Sequence, residues 1–368
     1  MTGALPITAA IARRGEPFRL EACVLGAPGP GEVRVRILAC GICHTDLAAR
    51  DHDLGTPLPA VLGHEGVGII EVLGPDVSEF AIGDTVLMSF GSCGQCSKCR
   101  NGAPGYCKSA GLSFRGTRAD GSSPVALNGQ TITGHFFAQS SFATHAVASV
   151  NNMVRLAPDL PPALMAPLAC GVQTGMASVL IALAAGREDS IAIFGCGTVG
   201  LAAVMAARIV GCHTIVAIDI QDSRLELARE LGATQVINSS REATGKVLRS
   251  LGGVTRAFDC TGVPEVIQTA FNALQSQGVL VCAGVSKPGS QVSIDLGTLM
   301  YGGRVIRGTI EGDAVPREFI PRMIGWYRAG LLPLEKLVTP YAFNDINQAV
   351  SDMLAARIVK PVLIMSEH

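Results

Sequence analysis

Apolar and polar positions alternate in short runs over the first part of the chain. Residues 17–40 carry β-like runs such as VRVRILAC, broken by the turn segment GAPGPGE. VGIIEVLG and DTVLMSF repeat the pattern, so the N-terminal part is expected to be rich in strands. From about 90 to 135 the chain turns to Gly, Ser, Cys and Asn. A lobe of that composition calls for some staple other than a core. The pattern changes after about 170: SIAIFG, VGLAAVMAARIVG and TIVAIDI read as strand, helix, strand. SRLELARELGA, RAFDCTG, PEVIQTAFNALQ and GVLVCAG continue the alternation. Strands and helices at this spacing predict a parallel, doubly wound sheet. The last fifty-odd residues return to mixed character around Trp326 and YRAGLLPLEKL.

A length of 368 residues suits two domains, and 48% hydrophobic content with a mean hydropathy of +0.37 supplies apolar material for two cores. Basic and acidic residues number 29 and 30 and form no run or stripe, which argues against a nucleic-acid or anionic-membrane partner. The arginines near the start follow an apolar patch where a secretory signal would have them precede it. The most apolar stretches are interrupted by Pro, Gly, Gln or Arg too soon for a membrane span. A soluble, cytoplasmic protein is expected. Twelve cysteines in such a chain point to metal binding or burial before disulfides.

Gly195-Cys196-Gly197-Thr198-Val199-Gly200 follows an expected strand and opens an expected helix, and Asp219 closes the next strand nineteen residues after Gly200. That context turns a weak glycine motif into a dinucleotide-binding fingerprint of the Rossmann type. Gly195 permits the tight turn, Gly197 lets backbone approach the pyrophosphate, and Gly200 lets the helix pack on the sheet. The helix N-terminus then faces the phosphates with free N–H groups. An acidic Asp219 would bind the ribose hydroxyls and repel a 2′-phosphate, so NAD is expected over NADP.

Cys93, Cys96, Cys99 and Cys107 place four thiols in fifteen residues. Closely spaced cysteines on glycine-bearing turns can converge on one structural zinc; an iron–sulfur cluster would use the same ligand type. Cys43, His64 and Cys170 are scattered. A Cys2His set with an open fourth position suits catalytic zinc, but spacing alone does not assemble it, and each residue taken singly reads more readily as structural.

GHEGVGIIEVLGPDV (with Gly63, His64, Glu65, Gly68 and Gly74), CHTD at 43–46, the four-cysteine lobe and the glycine motif fall together in order. Over essentially its whole length the chain resembles the zinc-dependent, medium-chain alcohol dehydrogenases. The resemblance implies an α/β fold: a β-rich GroES-like catalytic domain over 1–171, completed by 310–368, and a Rossmann domain over 172–309. It implies catalytic zinc on Cys43, His64 and Cys170, and structural zinc on Cys93, Cys96, Cys99 and Cys107. Asp46 would orient the zinc-bound histidine, Glu65 would approach the metal during ligand exchange, and Thr45 would take the alcohol proton. Thr174 would pack behind the nicotinamide and Arg224 would lie near the adenosine ribose. His44 and Lys360 would approach the pyrophosphate. Gly284 and Val285 would lie against the cofactor. Many family members end a proton relay on a histidine where this chain has Ala48; His44 or His52 would substitute, or the proton would leave through ribose and water.

HFFAQSSFATHAV and LACGVQTGMASVL are similar to aryl-alcohol (benzyl alcohol) dehydrogenases and their geraniol-oxidising branch. The implied reaction is oxidation of a primary aromatic or allylic alcohol to its aldehyde, with hydride passing to NAD. Phe90, Phe114 and Val285 would wall an apolar pocket. A general primary alcohol or an S-hydroxymethylglutathione substrate is the alternative, the latter drawing on Arg115 and Arg118. A polyol dehydrogenase would usually carry glutamate where Cys170 stands. A catalytically silent NAD-binding redox sensor would have lost one of Cys43, His64 or Cys170, and none is lost. The expected partners are a small alcohol or aldehyde and a second copy of the chain, as homodimer or homotetramer through the Rossmann sheet.

Overall fold

In the computed structural model, which describes residues 3–51 and 54–365, the chain divides into two compact units. The first comprises Met1–Cys170, Val315–Tyr327 and Pro333–His368; the second comprises Gly171–Ala314 and Arg328–Leu332. The seams therefore differ from those expected at 171/172 and 309/310. Residues 310–314 stay with the second unit for a local reason. The Glu311 carboxylate accepts hydrogen bonds from Gln173 Nε2 and Thr174 Oγ1, both at 3.1 Å, and a Cβ on Gly312 would come within 2.4 Å of Ala177.

The first unit contains two sheets. In the seven-stranded one, Met153–Arg155, Thr85–Met88, Gly66–Leu73, Glu32–Gly41, Lys360–Ile364 and Val338–Ala342 run in that order, and His145–Ser149 also pairs with Glu32–Gly41. The alternation in VRVRILAC explains the central strand: Val33, Val35 and Ile37 enter the core, while Arg34 and Arg36 reach Glu71 on the neighbouring strand. The five-stranded sheet takes Ala60–Val61, Leu5–Ala12, Arg19–Leu25, Val125–Leu127 and Gln130–Ile132. Its last two strands lie inside the Gly/Ser-rich stretch and form a hairpin on Asn128-Gly129, with φ of 51° and 77°. Asn-Gly takes up such a positive-φ two-residue turn readily.

The second unit is a six-stranded parallel sheet ordered Gln235–Asn238, Thr214–Asp219, Ser190–Phe194, Val254–Asp259, Leu274–Cys282, Val305–Gly308. In chain order this is 3-2-1-4-5-6, the doubly wound dinucleotide-binding topology. Its central strands Ser190–Phe194 and Thr214–Asp219 are near-continuous buried apolar runs, as expected of strands covered on both faces. Among the described residues, no single helix is long and apolar enough to cross a membrane.

Candidate active site

The strand Glu32–Gly41 delivers Cys43 to the start of the helix His44–Asp51. Asp46, three residues in and fully buried, reaches back so that its Oδ2 accepts the Cys43 N–H at 2.9 Å, as a third-position acid does in a capping box. Its Oδ1 accepts the Gly63 N–H at 3.1 Å and lies 2.9 Å from His64 Nδ1. A buried carboxylate there fixes the proton on Nδ1 and leaves Nε2 as the ligand atom. Gly63 adopts φ +89°, and a Cβ there would meet Phe142 at 2.6 Å, so the approach to His64 requires glycine.

One ligand atom each from Cys43, His64, Glu65 and Cys170 lies within 4.8 Å of the others. His64 Nε2 is buried without a hydrogen-bond partner. The Cys170 thiol, and next to it His64, pull the Cys43 thiol well below its usual range against the opposing effect of burial. Two sulfurs and an orphaned imidazole nitrogen fit zinc with a position left open. Thr45 Oγ1 sits 3.6 Å from Cys43 Sγ. Over the histidine stand aromatic rings: Phe137 stacks on His64 at 4.7 Å and 29°, Phe136 meets it edge-on at 5.9 Å, and Phe114 packs against both phenylalanines.

The four-cysteine lobe assembles independently. Cys93–Cys99, Cys96–Cys99 and Cys96–Cys107 sulfur distances are 3.9, 3.6 and 4.0 Å. A tetrahedron with zinc–sulfur bonds of about 2.3 Å has edges of about 3.8 Å. Amides of Cys93, Cys96 and Ser109 point at Cys107 Sγ, Cys93 Sγ and Cys107 Sγ at 3.3–3.4 Å, which favours thiolates.

In the second unit, Gly195 turns with φ +92° after the strand Ser190–Phe194, and a Cβ on Gly200 would lie 1.7 Å from Gly195 O. A Cβ on Gly197 would meet nothing within 4 Å, so that face is open to a phosphate. No side chain caps the helix Thr198–Val210 that begins there. Cys196, Thr198 and Val199 fill the turn between these glycines. Asp219 Oδ2 accepts the Cys196 N–H at 2.7 Å, so the acidic group sits at the glycine turn. Arg224 is buried nearby; burial lowers its pKa and Asp219 opposes the shift. Thr174 lies on the helix Gly171–Ala177, held by Glu311. Gly284 packs so tightly that a Cβ would come 2.1 Å from Gly262 N.

Some expected residues are placed differently. Lys360 offers no charge to a phosphate: it is buried, and its Nζ donates to Ile42 O at 2.9 Å and to the Glu65 carboxylate at 2.6 Å. Burial pushes the Glu65 carboxyl up to about 7, against the pull of Lys360. Phe90 is core, whereas Val285 is 67% exposed and walls no closed pocket. Arg118 is engaged by Glu32 through Nε and Nη2 at 2.7–3.1 Å. His44 is exposed, and His52 lies outside the described residues. Sequence reasoning missed Phe136, Phe137 and Gln139 as neighbours of His64; the run HFFAQSS, two aromatics followed by an alanine and three uncharged polar residues, was their only signal.

Comparison with known proteins agrees with this geometry. The family model "Alcohol dehydrogenase GroES-like domain" matches residues 29–158, and "Zinc-binding dehydrogenase" matches 198–328. Geraniol dehydrogenase of Castellaniella defragrans is 40% identical, covering 97% of each chain. Among solved structures, a zinc-binding-domain alcohol dehydrogenase protein from Burkholderia ambifaria is 42% identical with a TM-score of 0.96, covering 99% of this chain and all of that one. Benzyl alcohol dehydrogenase from Acinetobacter calcoaceticus is 41% identical with a TM-score of 0.95, covering 98% and 100%. On fold, paired thiol clusters and identity over nearly the full length, the chain belongs to the zinc-dependent, medium-chain alcohol dehydrogenases, oxidoreductases that use NAD.

Proposed function

We propose that this enzyme oxidises a primary aromatic or allylic alcohol, of the benzyl alcohol or geraniol kind, to its aldehyde. The observation that carries this is the aromatic edge formed by half-buried Phe114 and by Phe137, which stacks on His64, with Phe136 in the core behind them. A flat benzyl or allyl group gains by burial against such rings. The names of the two relatives, geraniol and benzyl alcohol dehydrogenase, support the same class.

Cys43, His64 and Cys170 hold the catalytic zinc in this reading, and Cys93, Cys96, Cys99 and Cys107 hold a structural one. Bound zinc supplies Lewis acidity that lowers the pKa of an alcohol hydroxyl, and NAD supplies the hydride acceptor. Thr45 Oγ1, beside Cys43, would accept the hydroxyl proton while giving up its own to the cofactor ribose and water. Asp46 holds the imidazole with Nδ1 protonated. Asp219 at the glycine turn disfavours a 2′-phosphate and so favours NAD. The glutathione alternative keeps only one of its two arginines, because Arg118 is already committed to Glu32 while Arg115 is exposed.

A second copy of the chain is the proposed partner. The sheet ends on the strand Val305–Gly308, next to an apolar group that includes Leu296 at 74% and Tyr301 at 87% exposure; an unprotected edge of that kind favours strand pairing between copies. Among the described residues none of the twelve cysteines forms a disulfide, which suits the reducing cytoplasm.

The test is the initial rate of NADH formation by zinc-loaded enzyme with benzyl alcohol, geraniol, ethanol and S-hydroxymethylglutathione, each with NAD and NADP. Benzyl alcohol or geraniol should lead with NAD; ethanol or the glutathione adduct ahead would overturn the substrate class.

A further inference from the structure

Asp46 ties only two of the three ligand segments together: its oxygens accept from Cys43 N, Gly63 N and His64 Nδ1. Cys170 is not among its partners, although Cys170 lies more than a hundred residues further along the chain than either. Something else has to set its distance from His64.

The turn at 136–141 supplies it. Phe137, Ala138 and Ser140 adopt left-handed backbone, with φ of 51°, 61° and 57°, which non-glycine residues hold only when their surroundings over-determine it. The surroundings do so. Ser141 and Phe142 N–H groups donate to Gly63 O and Leu62 O, both at 2.9 Å, and Ser140 Oγ donates to Val61 O at 2.6 Å. This strained turn drives Gln139, 1% exposed, into the core between three segments. Its Nε2 donates to His64 O, Met88 O and Ser89 O at 2.9, 3.1 and 3.1 Å. Its Oε1 accepts from Gly66 N at 3.1 Å and from Ser141 Oγ at 2.7 Å. Donors and acceptors of the amide are thus fully used. Ser89 continues the path: its Oγ donates to Ala169 O at 2.6 Å, one residue before Cys170.

We propose that Gln139 and Ser89 are positioning residues that set His64 and Cys170 at metal-binding distance, as Asp46 sets Cys43 and His64. The inference rests on the catalytic-zinc reading above. Neither side chain touches a ligand atom; both act through the backbone carbonyls of His64 and of the residue before Cys170. A network of this kind, fully satisfied and buried, holds ligands in place before the metal arrives.

The test uses the full-length enzyme loaded with zinc, or with Co2+ as a coloured substitute. Gln139→Met keeps the bulk and removes the polar atoms, Gln139→Glu keeps the acceptors and loses the donors, and Ser89→Ala removes a single hydroxyl. Each should release the metal of the Cys43–His64–Cys170 site to a chelator about tenfold to a hundredfold faster. Each should also shift the Co2+ absorption bands, while release from the four-cysteine lobe stays unchanged. If the glutamine variants do not fold, Ser89→Ala decides. Folded variants with wild-type release and wild-type bands, whatever their melting temperature, would overturn the proposal. A wild-type enzyme that holds no metal at this site would overturn the zinc reading itself.

Discussion

Thr45 and Asp219 carry opposite ends of the proposed chemistry, and each can be tested alone. Thr45 Oγ1 lies 3.6 Å from Cys43 Sγ, and Ala48 offers no onward relay. Thr45→Ala should lower kcat about a hundredfold with zinc content unchanged, and Thr45→Ser should recover most of it. Asp219 already accepts backbone N–H groups of Cys196, Ile220 and Gln221, so Asp219→Asn removes the charge and keeps an acceptor. The ratio of kcat/KM for NADP over NAD should rise about tenfold or more, since like-charge repulsion costs several kcal/mol. The clustered Cys93, Cys96, Cys99 and Cys107 and the glycine motif were legible at this scale from their spacing, whereas Cys43, His64 and Cys170 came only through the family resemblance. Lys360 was not legible: a sequence displays its charge but not the Glu65 carboxylate that neutralises it 295 positions away.

At the scale of elements, the strands Ser190–Phe194, Thr214–Asp219, Val254–Asp259 and Leu274–Cys282 and the helices Thr198–Val210, Asp222–Leu231 and Pro264–Asn272 were readable from their buried apolar runs. The short edge strands Gln235–Asn238 and Val305–Gly308 were not. Nor was the turn at 136–141, whereas the Asn128-Gly129 hairpin carries a local Asn-Gly signal inside the Gly/Ser-rich stretch. Left-handed backbone at Phe137, Ala138 and Ser140 is imposed by distant hydrogen bonds and leaves no local pattern. The link that ties the start of the central strand to the neighbouring loops is likewise tertiary. Glu32, 6% exposed, accepts hydrogen bonds from Arg118 and Gly29 N and lies 3.3 Å from His135 Nε2. Burial alone would raise its pKa, but His135, Arg118 and the Gly29 amide overcome that and hold it at about 2. A carboxyl depressed in the folded state stabilises above its unfolded value, near 4.5, and that contribution fades as pH falls from there toward 2. Glu32→Gln should therefore cost roughly 2–3 kcal/mol at neutral pH and flatten the stability loss between pH 4.5 and 2, read by denaturant titration across that window.

Assembly and selectivity belong to the whole molecule. An exposed sheet edge with Leu296, Met300, Tyr301 and Val305 beside it predicts a dimer or tetramer by sedimentation velocity. Tyr301→Lys combined with Val305→Lys should shift it to monomer while each chain keeps both metals. The sequence did not mark this strand: its four residues are mostly exposed and carry no buried period, and its place at an edge depends on the order of all six. In the proposed reading substrate choice rests on the rings beside His64, and the most direct measurement is kcat/KM for benzyl alcohol and for ethanol in wild-type and Phe137→Ala enzyme. Loss of a ring that buries an aromatic substrate is worth about 1–3 kcal/mol, so benzyl alcohol should fall about tenfold to a hundredfold while ethanol stays nearly constant. An equal fall for both alcohols, or no fall for either, would contradict the assignment of this wall to the substrate.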